Sequence, residues 1–415
     1  MLKLPRLFSR EKKSEEDLAI EAGFPVEAGS AAARPGAAVK GLEFDWAVIA
    51  VVSILLGLGT VMVYSASISL ADSPKFGTTP SYFLVHHLVS LAVSITAAVI
   101  VYRMPMKGWN KLANAIGIVA VIALIAVLIP GIGVNVNGSR RWIRFPFMNL
   151  QVSEFAKFAA VIFTARFTVM KQDYMHSFCL GFGPMAIALV VVAGLLVVQP
   201  DLGATVVVVV ITMGILFLGG LAKKIFFAVL GVVVAGVAAL IVYTPWRMAR
   251  FVAYLDPWDE SNVLGKAYQL SHSLIAFGRG EIWGAGLGGS VEKLNYLPEA
   301  HTDFIFAVVG EELGFVGVVF VLFLYYRLIR SAFEIGRIAI KMDSIFSGLV
   351  AQGIGIWIGA QVCINVGVAT GVLPTKGLTL PLMSYGGSAI LATLCAIAVL
   401  LRVDHENRVR MHGGM

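Results

Sequence analysis

Few side chains in this sequence can carry acid–base or anion chemistry, and their placement is uneven. The segment Leu297-Pro298-Glu299-Ala300-His301-Thr302-Asp303 runs directly into a long apolar stretch. Asp303 therefore stands at the water-facing end of an apolar helix, where a carboxylate can act as a general base toward a hydroxyl. The same spacing suits a helix N-cap, with Thr302 or Asp303 accepting from orphan backbone N–H groups. The two roles pull apart. The positive end of a helix lowers a carboxylate's pKa and weakens it as a base, and burial is needed to raise it again.

Glu311 and Glu312 lie about 12 Å further into the same run, at a helical rise of about 1.5 Å per residue. Placing a charge near mid-membrane is disfavoured by roughly 2.5–3.5 kcal/mol, so such groups face partners or water. At about 100° per residue only Glu311 falls near the face of Asp303 and can share its cavity. Ion pairs with Lys157 or Arg166 are the other reading for both glutamates. Glu154 and Lys157 are three residues apart and can pair on one helix face, as an architectural pair or within a polar cavity. Arg166, on the opposite face, needs a different partner.

The stretch Val372–Ser388 holds two prolines and three glycines. That composition predicts non-helical backbone at membrane depth, which is tolerated only where protein or a water-filled cavity covers it. Lys376 and hydroxyls such as that of Ser384 are then placed to grip an oxyanion; a plain helix-entry loop is the alternative. Gly284-Ala285-Gly286-Leu287-Gly288-Gly289 matches GxGxxG in form only, because no strand–turn–helix unit surrounds it. Its glycines fit tight bends or close backbone approach. No Walker loop, HExxH or GxSxG is present, so nothing points to ATP, zinc or a serine nucleophile.

The elements that must position these groups are membrane helices. Of 415 residues, 58% are hydrophobic and 14% charged, whereas soluble domains average about 25% charged. Disordered, collagen-like, disulfide-framework and ordinary soluble-enzyme classes are excluded. The apolar runs predict an all-α polytopic protein with about ten transmembrane helices, at 46–66, 82–102, 112–130, 154–170, 185–199, 203–220, 225–243, 303–326, 347–370 and 380–401. Residues 1–43 form a basic tail without a cleavable signal, 44–405 the membrane domain, and 406–415 a second tail. The turn Gln199-Pro200-Asp201 should place Asp201 as the cap of the sixth helix.

Twenty of the 32 Lys and Arg residues fall on the side of the two termini and ten on the opposite side. Both termini are therefore expected in the cytoplasm. A large external loop, 244–302, between helices 7 and 8 is rich in Trp, Tyr and Gly and should lie along the outer interface. The ten external cations, among them Arg140, Arg141, Arg247, Arg250, Lys293 and Lys376, stand against the insertion bias. They point to an anionic ligand, with solvated charges or lipid-phosphate contacts as the alternative. The net charge of +7 fits cytoplasmic basic groups beside anionic lipid rather than nucleic acid. Cys179, Cys363 and Cys395 lack metal spacing and are expected to be small buried hydrophobes.

The strings GSRRWI (138–143), QVSEFAK (151–157), QPDLG (199–203), AYLDPW (253–258), LPEAHTDFIFAVVGEELG (297–314) and GVLPTKGLTLPLMSYGGS (371–388) resemble the SEDS family of bacterial shape, elongation, division and sporulation proteins. The similarity runs over about residues 44–405 and is closer to the family's division branch than to its elongation branch. Val152 stands where the family commonly has Pro, and Ala389 where the division branch often has Ser; both departures concern local packing.

The resemblance implies a ten-span peptidoglycan glycosyltransferase that polymerises lipid II, with undecaprenyl pyrophosphate as leaving group. It implies that Asp303 is catalytic. Asp303 would take the proton from the GlcNAc 4-hydroxyl of the acceptor, whose oxygen attacks C1 of the donor MurNAc with inversion. One carboxylate can suffice because the leaving group is already good, unlike the pair used in glycoside hydrolysis. Arg140, Arg141 and Lys376 would stabilise the pyrophosphate, with a divalent cation (Mg or Mn) compatible and no ligands for it selected by the sequence. Glu299 and His301 would orient the acceptor or Asp303, with Lys293 and Ser384 completing the substrate-binding set. Glu154, Lys157 and Glu311 would be structural or cavity-lining.

Implied partners are lipid II, the nascent glycan strand, a division-specific class B penicillin-binding transpeptidase and other divisome membrane proteins. No nucleic acid is implied, and the implied location is the cytoplasmic (inner) membrane at the division septum. A lipid II flippase is the rival reading. It needs Glu154, Lys157, Arg166, Glu311 and Glu312 to line a path, whereas a polymerase needs Asp303 and the external cations. A noncatalytic divisome scaffold is a third.

Overall fold

The computed structural model describes residues 45–72, 79–136, 139–144, 149–263 and 265–412. The basic tail 1–43, Lys75 and Gly138 lie outside the described residues. Twelve principal helices are described: α1 (Trp46–Ser67), α2 (Tyr82–Arg103), α3 (Met106–Ala126), α4 (Val152–Met170), α5 (Gly183–Val198), α6 (Leu202–Leu218), α7 (Lys223–Val242), α8 (Pro245–Leu255), α9 (Tyr268–Gly280), α10 (Ile305–Lys341), α11 (Ile345–Ala369) and α12 (Gly387–Met411). Eight of them (α1, α2, α3, α5 with its preceding turn, α7, α10, α11 and α12) are long and apolar enough to cross a membrane. Of the other two apolar segments, α6 has only 17 residues and α4 carries Glu154, Lys157 and Arg166. The chain is a multi-pass helical membrane protein.

Four features depart from the sequence expectation. Between α3 and α4 a small antiparallel sheet forms from β1 (Gly133–Val136), β2 (Ser139–Arg144) and β3 (Asn149–Gln151). Strands of three to six residues leave too short a pattern to read. Helix α10 runs to Lys341, so Arg327, Arg330, Arg337 and Lys341 ride on a helix rather than in a loop. Helix α12 likewise runs to Met411, and its last turns, expected as a tail, are tied down: the Glu406 carboxylate accepts from the Met106 N–H at 2.9 Å, capping α3. Two of the cysteines, Cys179 and Cys363, are exposed and Cys395 half-buried. A surface facing lipid accepts a small thiol as readily as a core does.

The core lies where α10, α11 and α12 meet α1 and α4, around Trp357, Tyr325, Phe306, Leu55 and Met62. Helices in lipid gain little from hydrophobic burial and associate through close packing of small residues. Gly336 on α10 and Gly348 on α11 meet in this way, each so near that an added Cβ would fall 2.8 Å from the other's carbonyl oxygen. Helix α7 is the opposite case, apolar all round with no buried residue.

The segment 370–386 between α11 and α12 is non-helical, as its prolines and glycines predict. It packs against α1 at Gly59, where a Cβ would stand 2.7 Å from Met383 Cα and 2.9 Å from the Leu382 carbonyl; at Gly57 nothing lies within 4 Å. Gly59→Ala should therefore destabilise the protein by about 1–3 kcal/mol. Gly57→Ala, on the same helix, should be neutral or slightly stabilising. Thermal unfolding in detergent checks this, and equal shifts for the two would show that the segment does not seat on α1.

Candidate active site

A polar cavity of about 390 Å³ opens at the end of the bundle that carries the sheet, lined by residues of β2, β3, the 299–303 turn and the 377–389 segment. Strand β2 supplies Ser139, Arg141 and Trp142. Neighbouring residues of a strand normally face opposite ways. Here the register jumps between Val134↔Trp142 and Asn135↔Arg140, leaving Arg141 as the extra residue of a bulge. Bulges re-aim side chains, which lets Arg141 and Trp142 face the same cavity. Arg141 is fixed by hydrogen bonds to the Gln199 carbonyl at 2.9 Å and the Pro200 carbonyl at 2.7 Å. Its guanidinium lies 4.0 Å from Asp201. Asp201 caps α6, as the sequence suggests, accepting from Ala204 N–H at 3.1 Å and from the Ser153 hydroxyl at 2.9 Å.

Asp303 lies in the turn ahead of α10 and does not cap it; Phe304 holds the cap position and no side chain caps there. The turn is set by Glu299, in the left-handed region at φ 58°, whose carbonyl accepts from the N–H groups of Thr302, Asp303 and Phe304. The Asp303 carboxylate faces Gly377 so closely that a Cβ there would sit 2.6 Å from Oδ2. Asn365 on α11 donates both to the Asp303 carbonyl at 2.8 Å and to the Leu378 carbonyl at 2.6 Å, joining the two walls. Burial, then the Glu299 carboxylate, push the Asp303 carboxyl up to about 7; Arg141 pulls it back, and Asp201 adds to the push. Released from the helix cap, the group behaves as burial dictates.

A second polar cavity of about 300 Å³ shares Ser139, Arg141 and Gly377 with the first and adds Asp201, Trp246, Arg250 and Lys376. Burial draws the Lys376 ammonium down to about 8, against the pull of Asp201, with Arg141, Arg247 and Arg250 lowering it further. Beside it runs an apolar slot of about 260 Å³ between α6, α7, α8 and α11, rimmed by Arg247, Arg250 and Lys376.

The other sequence-selected residues divide. Glu299 lines the Asp303 cavity and holds the Thr302 hydroxyl at 2.8 Å. His301 turns away, packed edge-on against Phe83 and beside Tyr385, and burial holds its ring below the ordinary histidine value against Glu299. Arg140, on the alternate side of β2, is exposed and does not line the cavity. Ser384 is buried, its hydroxyl accepting from Leu380 N–H at 2.7 Å; it closes a turn. Lys293 is buried and paired with Glu312 at 2.8 Å, away from the cavity. Glu311 does not share the space of Asp303 and pairs with Arg279 at 2.6 Å. Neither glutamate pairs with Lys157 or Arg166.

Glu154 does pair with Lys157, at 2.7 Å, and also lines the cavity. Arg166 donates to Asn110. Of the five intramembrane charges, Glu154 and Lys157 thus pair with each other, while Arg166, Glu311 and Glu312 find partners elsewhere in the chain. Sequence reasoning did not single out Trp142, Tyr385 or Thr379, and it raised Arg250 only as one of the cations on the disfavoured side. Among the described residues no group of three His, Cys, Asp or Glu side chains stands ready to hold a metal ion.

A family model described as "Cell cycle protein", covering FtsW, RodA and SpoVE, matches residues 45–409. A probable peptidoglycan glycosyltransferase FtsW of Burkholderia thailandensis is 57% identical over 374 residues, spanning 90% of this chain and 81% of that one. The protein of the same description from Thiomonas intermedia is 50% identical over 413 residues, 99% of this chain and 98% of that one. Among solved structures, a chain of a peptidoglycan synthase complex that coordinates polymerization and crosslinking superposes with a TM-score of 0.71 at 27% identity, covering 88% of this chain and 99% of that one. The rod shape determining protein RodA of Thermus thermophilus gives 0.63 at 27% identity, covering 89% and 98%. With nearly its whole described length matched by sequence and by fold, this chain belongs to the FtsW/RodA/SpoVE family, the SEDS family of membrane proteins.

Proposed function

We propose that this chain polymerises lipid II into glycan strands, with Asp303 as the general base. It is a peptidoglycan glycosyltransferase of the FtsW type. The observation that carries the reading is a single raised carboxyl, Asp303, in a polar cavity that shares Arg141 with a basic cavity, which in turn borders an apolar slot. A lipid-linked pyrophosphate needs those three surfaces together: a base for the acceptor hydroxyl, cations for the anion and an apolar path for the chain. Arg141, Lys376 and Arg250 are the anion-binding set, with Arg140 an outer contact. Glu299 shapes the turn that presents Asp303. Gly377 lets the acceptor approach the carboxylate without a side chain in the way.

The base takes the proton of the acceptor's 4-hydroxyl, the oxygen bonds to C1 of the donor sugar, and the C1–oxygen bond to pyrophosphate breaks. The anomeric centre inverts. A magnesium or manganese ion would be held chiefly by the pyrophosphate itself. Both termini and the sheet-free end of the bundle lie in the cytoplasm, ten segments cross the inner membrane, and the protein works at the septum with a class B penicillin-binding transpeptidase.

Polymerisation of labelled lipid II by the chain co-purified with its transpeptidase, with moenomycin silencing other polymerases, tests the reading. Asp303→Ala should lower the rate by about 10²–10⁴-fold. Strands from both proteins would remove Asp303 from its role, and strands from neither would favour the flippase. The base must be ionised and Lys376 charged, so kcat/KM should rise with pH through about 7 and fall above about 8. Lys376→Arg should carry the upper limb to higher pH.

Stability should move the other way. A carboxyl raised from 3.8 to about 7 binds its proton more tightly folded than unfolded. Folding is thus progressively disfavoured as pH rises through that window. Asp303→Asn should leave Tm unchanged near pH 4 and raise it increasingly toward pH 7. A constant difference across that range would show that the carboxyl is not raised.

A further inference from the structure

Helix α10 is broken and then repaired by another part of the chain. At Gly314 the backbone turns to φ 67°, ψ −166°. In an unbroken helix the N–H groups of Phe315 and Val316 would donate to the carbonyls of Glu311 and Glu312. Here they donate to Glu281 at 2.9 Å and Ile282 at 3.2 Å, while those two freed carbonyls accept from Ala285 at 2.8 Å and Gly286 at 3.1 Å. Segment 281–286 is spliced into the gap and supplies partners to these four groups.

The first glycine of the GxGxxG string explains itself here. A Cβ on Gly284, at φ 83°, would stand 2.2 Å from the Glu312 carbonyl, and one on Gly314 would stand 2.3 Å from the Gly284 nitrogen. Two buried carboxylates lock the splice. Glu311 takes Arg279 at 2.6 Å, Val291 N–H at 2.8 Å and the Ser290 hydroxyl. Glu312 takes Lys293 at 2.8 Å and the Ser65 hydroxyl at 2.7 Å, and Lys293 also donates to Ser65 at 2.9 Å. Glu311 is 0% and Glu312 1% exposed.

The short first piece of α10, Ile305 to Leu313, is therefore not simply continued from the rest of the helix; it is tied to 281–293 as well as packed in the core. Asp303 sits two residues ahead of that piece, about 13 Å along the axis from Glu312. An unbroken apolar helix would fold at least as well, since a buried ion pair is seldom a net gain in stability over packed hydrophobes. A break kept closed at such expense in glycines and charges serves placement. We propose that Lys293, with Glu312 and Ser65, is a positioning element that sets the depth of the Asp303 carboxylate in its cavity through the spliced helix. The inference rests on the polymerase reading.

The test uses the chain in complex with its transpeptidase and compares wild type, K293M, S65A, the double variant K293M/E312Q and D303N. K293M leaves the buried Glu312 carboxylate without its counter-ion and should lower kcat per folded molecule by about a hundredfold, with KM for lipid II little changed. It should also move the acid limb of the pH–rate profile from about 7 toward the ordinary carboxylate range, as water reaches Asp303 among Glu299, Arg141 and Asp201. K293M/E312Q, which removes both charges, should recover part of the rate.

S65A, which removes only the bridging hydroxyl, should show the same limb shift on a smaller scale and keeps the question open to measurement if K293M does not fold. An unmoved acid limb with wild-type kcat per folded molecule, in K293M or, failing that, S65A, overturns the inference while leaving the polymerase reading intact. An inactive wild type, or a D303N as fast as wild type, overturns that reading and the inference with it.

Discussion

Backbone buried outside regular secondary structure loses its usual hydrogen-bond partners, so its N–H and C=O groups must be met by other parts of the protein. The segment between α11 and α12 meets that demand through side chains. Asn365 serves the Leu378 carbonyl, Gln361 the Thr379 carbonyl at 2.9 Å, and Tyr325 the Pro381 carbonyl at 2.5 Å. Losing any one would strand a buried carbonyl at about 1–3 kcal/mol. The same residues tie the segment to the rest of the site. Gln361 turns its oxygen to Lys157 at 2.8 Å and to Trp357 at 2.9 Å, so the buried Glu154–Lys157 pair and the loop opposite Asp303 share one network. Asn365 holds Asp303 and Leu378 at once. Polar residues on otherwise apolar helices are the condition for bringing an irregular loop to the site.

What the sequence could show was whatever depended on neighbours along the chain. The Asp201 cap is a matter of four residues, the Glu154–Lys157 pair of one helical turn, and the broken stretch at 374–386 of its own prolines and glycines. What escaped depended on distant chain. Nothing in Glu311 or Glu312 tells that Asp303 lies in a turn ahead of their helix, so an angular projection along a helix carried back to Asp303 put Glu311 on its face. Lys293 reads as an external cation until its partner on α10 is known. Arg140 and Arg141 look equivalent until a one-residue bulge sends one inward and leaves the other in solvent. Ser384 looks like a ligand hydroxyl and is spent on a backbone turn.

The electrostatic result follows from the same placement. Had Asp303 capped α10, the helix end would have held its carboxylate ionised and weak. With Phe304 at the cap, burial and the neighbouring Glu299 dominate, and Arg141 keeps the group from rising further. Arg141 itself is held by two carbonyls and Asp201, so its charge is fixed in direction and partly neutralised before any substrate arrives. Lys376 is less restrained and less fully charged. Arg141, shared by both polar cavities, and Lys376, in the second, are thus not interchangeable: one is held in direction by fixed partners, the other can lose its proton near neutral pH.

That asymmetry fits a reaction whose driving force comes with the substrate. In glycosyl transfer from a sugar pyrophosphate the leaving group is already activated, so the proposed reaction calls for no nucleotide and no second carboxylate. On the proposed reading the protein must hold two large lipid-linked molecules with one hydroxyl against one anomeric carbon, and effective concentration from such alignment is worth about 7–11 kcal/mol. A rigid cation, a carboxylate poised near neutrality and a backbone glycine opposite it are alignment devices. The many interactions spent on fixing the 281–293, 299–304 and 377–389 segments are what such a mechanism requires of its fold, because a small displacement of any one would separate the reacting atoms.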